Sequence, residues 1–484
     1  MITDFRPILF ILGLFLCVLA ASMAIPMMAD LWAGSEHWKN FFVCAVLTGF
    51  FGGSLVLSTG GQSFELSVRQ VFILTVFVWV AICIFSALPF KLSDLQMDSE
   101  DAFFEAVSGL TTTGATVILN LDEAPIGILL WRSLLQWLGG IGIIIMAISI
   151  LPFLKVGGMQ IFKSESSSSD SERAVPRAAQ LSYSLLIIYL SLSLICASCY
   201  MFAGMNAFDA FNHAMTTIAT GGFSTRDASI GHYNNFTIEL VAIVFMVLSG
   251  MPFVLFLKTL RGKKRALLDD TQVRTYLAAL LISILILWLC LALWLDMPLI
   301  LGLKDSMFTV ISVMTGTGYY TANYAIWGGF ADALLLFLMV VGGCAGSTTC
   351  GIKIFRFQVL YEAAKSQMRK LIYPNGVFFP QYNRRALSHD AVISVMSFMF
   401  AFAVLYVMGV AILSFIGLDI TTSLSAVAAT LSNSGPGLGP IIGPSGSYLH
   451  LPESAKWVLS ILMIVGRLDI FTVLVLLTPH FWRS

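Results

Sequence analysis

The sequence predicts an all-α polytopic membrane protein. It is built from four repeats of helix, half-helix pore loop and helix around a pseudo-fourfold pore, preceded by two further transmembrane helices. Three observations predict this. Apolar stretches of around 20 residues recur from end to end, each long enough to cross a hydrocarbon core about 30 Å thick. Hydrophobic residues make up 58% of the chain and charged residues only 11%, too few to cover soluble domains. Four connections between the stretches also share one half-apolar pattern that ends in glycine.

Ten spanning segments are expected, at about 7–32, 40–59, 69–90, 125–152, 181–203, 236–257, 275–297, 328–345, 391–416 and 456–478. Pro26, Pro89, Pro152 and Pro298 fall near segment ends, where a missing N–H is tolerated. "PILFILGLFLCVLAASMA" has the core of a signal peptide, but Arg6 and Asp4 make a weak basic leader, so it is read as a retained first helix. "KSESSSSDSER" (163–173) is polar and repetitive and reads as a flexible loop. The eight cysteines lie mostly inside apolar segments and read as small packing residues, not as a disulfide or zinc framework.

Charge sets the orientation. With the N-terminus inside, the basic stretches 258–265 and 353–385, with Arg69, Lys155, Lys163, Arg173, Arg177 and Arg274, all face the cytoplasm. The other side keeps Lys39, Lys91, Arg132, Arg226, Lys304 and Lys456. This asymmetry is what the positive-inside rule requires, and it puts both termini in the cytoplasm. The neutral net charge and scattered basic clusters argue against a nucleic-acid partner.

The repeat emerges when the outward connections are aligned on their glycines. "DAFFEAVSGLTTTG" ends at Gly114, "DAFNHAMTTIATGG" at Gly222, "DSMFTVISVMTGTG" at Gly318 and "TSLSAVAATLSNSG" at Gly435. Asp101, Asp209, Asp305 and Thr422 open the four units and are expected to be N-caps. About ten helical residues reach roughly 15 Å, half the core, so each piece stops near mid-membrane. Its C-terminal end carries partial negative charge and favours a cation. The following carbonyls lack helical partners, which is tolerated at that depth only inside protein or along water. Four such segments around one axis give rings of carbonyl oxygens, as in a potassium-type filter. No carboxylate lies within three residues before any of the four glycines, which suits a monovalent cation. The division expected is two helices (1–66), repeat 1 (67–157), a cytoplasmic loop (158–180), repeat 2 (181–265), repeat 3 (266–387) and repeat 4 (388–484).

These stretches, with "GGCAGST", "AKWVLSILMIVGRLDIFTVLVLLTP" and the terminal "FWRS", resemble the TrkH/KtrB/HKT superfamily of potassium transporters along the whole chain, and most of all its TrkH family. The resemblance implies gated, channel-like potassium uptake across a bacterial inner membrane by a homodimer with one pore per protomer. It implies that the filter is formed by the backbone of Thr112, Thr113, Gly114, Thr220, Gly221, Gly222, Gly316, Thr317, Gly318, Asn433, Ser434 and Gly435. It also implies a cytosolic TrkA-like regulatory subunit that binds NAD or ATP. This chain has no nucleotide motif of its own. In plant relatives serine at the first filter glycine goes with sodium transport, so Gly114 favours potassium.

"VGGCAGSTTCG" (341–351) cannot hold a stable helix, because each glycine costs about 1 kcal/mol relative to alanine. It is either a mobile loop beneath the filter or a close helix contact. The resemblance implies the former, a gate at 342–351 that includes Gly343, Gly346, Ser347, Thr348 and Gly351. The family usually has more glycine where Thr349 and Cys350 stand, and glutamate where Asp469 stands. Arg467 is a cation inside the last apolar segment, where a partner or a cavity is required. It is expected to face the path below the filter and hold the loop, the alternative being a buried pair with a carboxylate elsewhere. No metalloprotease, phosphate-loop or hydrolase motif is present, and His213 reads as a helix-face residue, so the chain is not expected to be an enzyme. A sodium- or proton-coupled potassium carrier and a transporter of an organic solute are the alternatives.

Overall fold

The computed structural model describes residues 4–60, 66–149, 174–383 and 385–483, without the side chains of 143–149, 174–179, 385 and 483. The Ser-rich stretch 163–173 and most of the expected loop 158–180 lie outside the described residues. Six helices there are long and apolar enough to cross a membrane: Arg6–Trp32, Trp38–Thr59, Val68–Lys91, Gln180–Phe202, Thr271–Trp294 and His389–Ile416. Ile126–Ser149 is a further long helix, closing the first repeat. The first two spans cross where Gly13 meets Gly52. A Cβ on either would stand 2.8–2.9 Å from the other's carbonyl oxygen, so only glycine allows this approach.

Three expected spans are interrupted. The segment expected at 236–257 is two helices, Phe236–Ser249 and Phe253–Leu260, bent by 91°. Pro252 lies between them, where it has no N–H to continue the first ladder. The segment expected at 456–478 is Glu453–Arg467 and Ile470–Leu476, bent by 112°. Asp469 at the break takes φ 67°, which a helix cannot include. The segment expected at 328–345 ends at Val340, where the glycines begin. Chain then runs without helix to Ile354–Ile372.

The four half-helices are Ser99–Leu110, Ala207–Ile218, Leu299–Thr315 and Ile420–Leu431. The expected N-caps are corrected here. Asp98, Asn206 and Asp419 occupy the cap positions, three residues before Asp101, Asp209 and Thr422. Asn206 accepts from the Asp209 N–H at 2.8 Å and Asp419 from the Thr422 N–H at 3.0 Å. The third half-helix starts earlier still, after Pro298, so Asp305 lies within it. In the first, second and fourth a polar residue was available one turn upstream, and the helix extended to it.

The displaced acids serve instead as ion-pair partners between elements. Asp101 bonds Lys456, and Asp209 bonds Arg226 at 2.9 Å. The six basic residues expected on the outer side are all paired. Lys39 meets Glu36, Lys91 approaches Asp98, Arg132 meets Glu105 and Lys304 meets Glu239, besides the two pairs just named.

Candidate functional site: a ring of four backbone turns

Each half-helix ends in the same turn. Thr112, Thr220, Gly316 and Asn433 take φ values of 54°, 52°, 72° and 51°, and Gly114, Gly222, Gly318 and Gly435 take 87°, 77°, 79° and 87°. Between them, the N–H groups of Thr113, Gly221, Thr317 and Ser434 donate to the carbonyls of Ser108, Thr216, Ser312 and Ala429 at 2.8–3.0 Å. This is the six-to-one bond of a Schellman cap, made four times. Threonine and asparagine in the left-handed region are strained, and such strain concentrates at functional sites.

The four turns close on one another. A Cβ on Gly114 would overlap the Gly221 carbonyl oxygen, and one on Gly222 the Thr317 oxygen. A Cβ on Gly318 would stand 2.7 Å from the Ser434 oxygen, and one on Gly435 2.8 Å from the Thr113 oxygen. Repeat 1 thus faces 2, 2 faces 3, 3 faces 4, and 4 returns to 1. Among the described residues, no hydrogen bond reaches the carbonyl oxygens of Thr112, Thr113, Thr220, Gly222, Gly316, Thr317, Asn433 or Ser434. Buried carbonyls without donors are rare in proteins, and a bound cation satisfies them. Two other carbonyls of the ring do accept a hydrogen bond. The Gly221 carbonyl accepts from Gln136 Nε2 at 2.7 Å, and that of Gly435 accepts from the Tyr448 hydroxyl at 3.0 Å.

The ring is braced from behind by side chains that sequence reading did not single out. Gln136 also accepts from the Phe223 N–H at 3.0 Å, so its amide clamps both flanks of the second turn. Glu105 and Arg132, both buried, pair at 2.7 Å. Glu105 accepts from the Val117 N–H, and Arg132 donates to the Ser224 carbonyl at 2.9 Å and lies 4.0 Å over the Phe223 ring. The pair therefore joins the chain just beyond Gly114 to that just beyond Gly222. Asn433 Nδ2 donates to Thr113 Oγ1 at 2.8 Å and ties the fourth turn to the first. The signal available was a charged residue inside an apolar run, in "WRSLLQ". His213 is buried between the Asp209 carbonyl and the Ser224 hydroxyl, as a helix-face residue should be.

A cavity of about 150 Å³ lies on one side of the ring, bordered by Gly114, Gly222, Gly318 and Tyr448. On the other side lies the stretch 341–353. It is not helical, and Val341 pairs with Ile352 in a parallel bridge. Thr112 Oγ1 stands 3.9 Å from Cys350 Sγ, which sets the loop directly against the first turn. The broken second repeat holds it. Cys344 N–H donates to the Gly250 carbonyl, Phe253 N–H to that of Gly346, both at 2.9 Å, and the Thr348 hydroxyl to that of Ser249. Gly343 accepts from the Ile354 N–H, the Ser347 hydroxyl donates to the Cys344 carbonyl, and Gly346 and Gly351 take φ values of 78° and 70°.

Arg467 reaches the loop from the opposite wall. Its guanidinium donates to the Thr348 carbonyl at 3.3 Å and to Gly139 at 3.2 Å, and contacts Cys350 Sγ. No carboxylate pairs with it among the described residues. Asp469 is taken by Arg356 at 3.0 Å, which also lies 3.3 Å over the Phe398 ring.

Half-helices meeting end to end around a shared axis, inside a bundle of spanning helices, define a membrane protein of the cation-transport class. The chain belongs to the TrkH family of cation transport proteins, whose family model matches residues 37–483. It is 43% identical to the Trk system potassium uptake protein TrkI of Halomonas elongata, over 99% of this chain and 97% of that one. It is 36% identical to the TrkH protein of Escherichia coli K12, over 99% and 100% of the two chains. The crystal structure of the potassium transporter TrkH from Vibrio parahaemolyticus superimposes with a TM-score of 0.92, at 35% identity, over 99% of this chain and 100% of that one. This is a family of transport proteins, not of enzymes.

Proposed function

We propose that the chain takes up potassium through a channel-like path whose selective part is the ring of four turns. The observation that carries this reading is the closed cycle of four turns, each packed against the next through a backbone carbonyl and each carrying carbonyl oxygens that meet no donor among the described residues. Neutral carbonyls at fixed spacing replace the water shell of a monovalent cation. The potassium uptake proteins of Halomonas and Escherichia support the same cargo. On this reading Thr112 to Gly114, Thr220 to Gly222, Gly316 to Gly318 and Asn433 to Gly435 form the filter. The repeats run over 67–157, 181–265, 266–387 and 388–484. The chain resides as a homodimer in a bacterial inner membrane with both termini in the cytoplasm, and a cytosolic nucleotide-binding TrkA-like subunit governs it from the basic inner face.

The gate is the loop 342–351, built on Gly343, Gly346, Ser347, Thr348 and Gly351 and fastened by Arg467. A guanidinium below a cation filter raises the barrier to potassium while it points into the path. Arg467→Ala is expected to raise flux of the unstimulated protein in liposomes by roughly tenfold or more, as removal of about 1.4 kcal/mol of barrier does. Unchanged conductance and gating would remove Arg467 from the gate.

Rescue of a potassium-transporter-deficient bacterium at low external potassium tests the reading as a whole. Flux in liposomes with and without sodium separates a gated path from a sodium-coupled carrier: a gated path conducts potassium equally in both. Robust uptake of amino acids or sugars would overturn the assignment.

A further inference from the structure

We propose that the cavity beneath the loop is a seat for a phosphate-class oxyanion, and that its occupant holds the loop in place. The cavity, about 80 Å³, lies between the loop, the start of the helix Ile354–Ile372 and the break at Asp469. Three cations line it, Lys353, Arg356 and Arg467, against one carboxylate, Asp469. Asp469 is engaged by Arg356. Among the described residues, Lys353 bonds only the Thr349 carbonyl and hydroxyl, and Arg467 only two carbonyls and a thiol. Among the described residues neither meets a carboxylate, so two positive charges stand uncompensated around one small space. Charges removed from water require a counter-charge or hydration.

The leftover hydrogen-bond capacity narrows the ligand. Arg467 Nε is a buried donor without an acceptor, and Asp469 Oδ1 is a buried acceptor without a donor. A hydrogen phosphate group supplies both, its oxygens to the cations and its hydroxyl to Asp469. Chloride has no proton to donate and leaves Asp469 unanswered. The phosphate is either free inorganic phosphate or the headgroup of an anionic lipid such as phosphatidylglycerol, whose phosphodiester has no hydroxyl of its own and whose glycerol hydroxyl would donate to Asp469 instead. Lys353 and Arg356 stand at the start of the helix Ile354–Ile372 and Arg467 at the end of Glu453–Arg467. Lys353 and Arg467 are both tied to the loop, through Thr349 and Thr348, so displacing the loop takes the seat apart. A ligand that binds only the assembled seat shifts the equilibrium towards it. This regulatory half rests on the gate reading above, whereas the binding half does not.

The test uses the full chain, purified and delipidated in detergent, with inorganic phosphate titrated at constant ionic strength against chloride. The thermal unfolding midpoint is expected to rise saturably in wild type and in Lys353→Arg, and not in Lys353→Gln. Lys365→Gln, at a surface lysine paired with Glu362, keeps the rise. Equal effects of phosphate and chloride, or an undiminished rise in Lys353→Gln, would overturn the seat. Nanodiscs of phosphatidylglycerol and phosphatidylcholine distinguish the sources. A raised midpoint in the former that added phosphate no longer shifts assigns the seat to the lipid headgroup; a full phosphate response in both assigns it to the free ion. In liposomes, phosphate on the loop side is expected to lower potassium flux by about 5–150-fold at saturation, the usual span of such couplings. Phosphate binding with no change in flux overturns the regulatory half alone. The Arg467→Ala measurement then shows whether the gate reading fails with it.

Discussion

Gly114→Ser is expected to abolish growth at low potassium and to raise sodium flux relative to potassium. Two costs coincide at this position. Its φ of 87° is one that a side-chain-bearing residue adopts at a cost of about 1–2 kcal/mol. The new Cβ would also overlap the Gly221 carbonyl oxygen, which is backbone and already fixed by Gln136. The first two turns must therefore separate, and the oxygens they carry leave the spacing that fits a dehydrated potassium ion. On the proposed reading the displaced oxygens hold the ion less well, and since about 1.4 kcal/mol of lost binding is tenfold, a loss of roughly tenfold or more in potassium flux is expected. The measurement is growth and ion flux beside a size-exclusion profile, so that misfolding is seen separately. Full rescue by the serine variant would exclude Gly114 from a selective ring.

Glu105→Ala is the second large effect. It leaves Arg132, buried and charged, beside Phe223 without its carboxylate, and strips the Val117 N–H of its acceptor. Breaking a buried pair by removing one partner costs about 3–5 kcal/mol. Unfolding in detergent should show that loss in Glu105→Ala and in Arg132→Ala alike. The double variant Glu105→Leu with Arg132→Leu should lose less than either, because no orphaned charge remains. A single-variant cost below about 1 kcal/mol, the range of exposed pairs, would mean that the pair does not brace the ring.

Much of this architecture was legible in the sequence, because apolar length and terminal glycines are strong local signals. The four glycines define the turns, and "VGGCAGSTTCG" reads as non-helical from composition alone. Register was not legible. Nothing local decides between Asp98 and Asp101, or Asn206 and Asp209, as caps, and the residues left over formed ion pairs with distant elements. The breaks after Ser249 and Arg467 were hidden for a related reason. A proline or an aspartate in an apolar run shows that the ladder is weak, but the loop and Arg356 that stabilise the bend lie about a hundred residues away in sequence. The braces Glu105, Arg132 and Gln136 act across repeats, and a single sequence does not reveal which charged residue inside a span meets which partner.

The return of the fourth turn to the first bears on synthesis. Asn433 meets Thr113 across 320 residues, so the ring stays open on one side until the last repeat has been made and inserted. At about 5–20 residues per second, that interval lasts roughly 15–60 s on the ribosome. On the proposed reading, the chain holds at most three quarters of the filter ring throughout it. If the ring is the filter proposed above, the cell is thereby spared a leak for ions while the protein is being built, and conduction begins as the final act of folding.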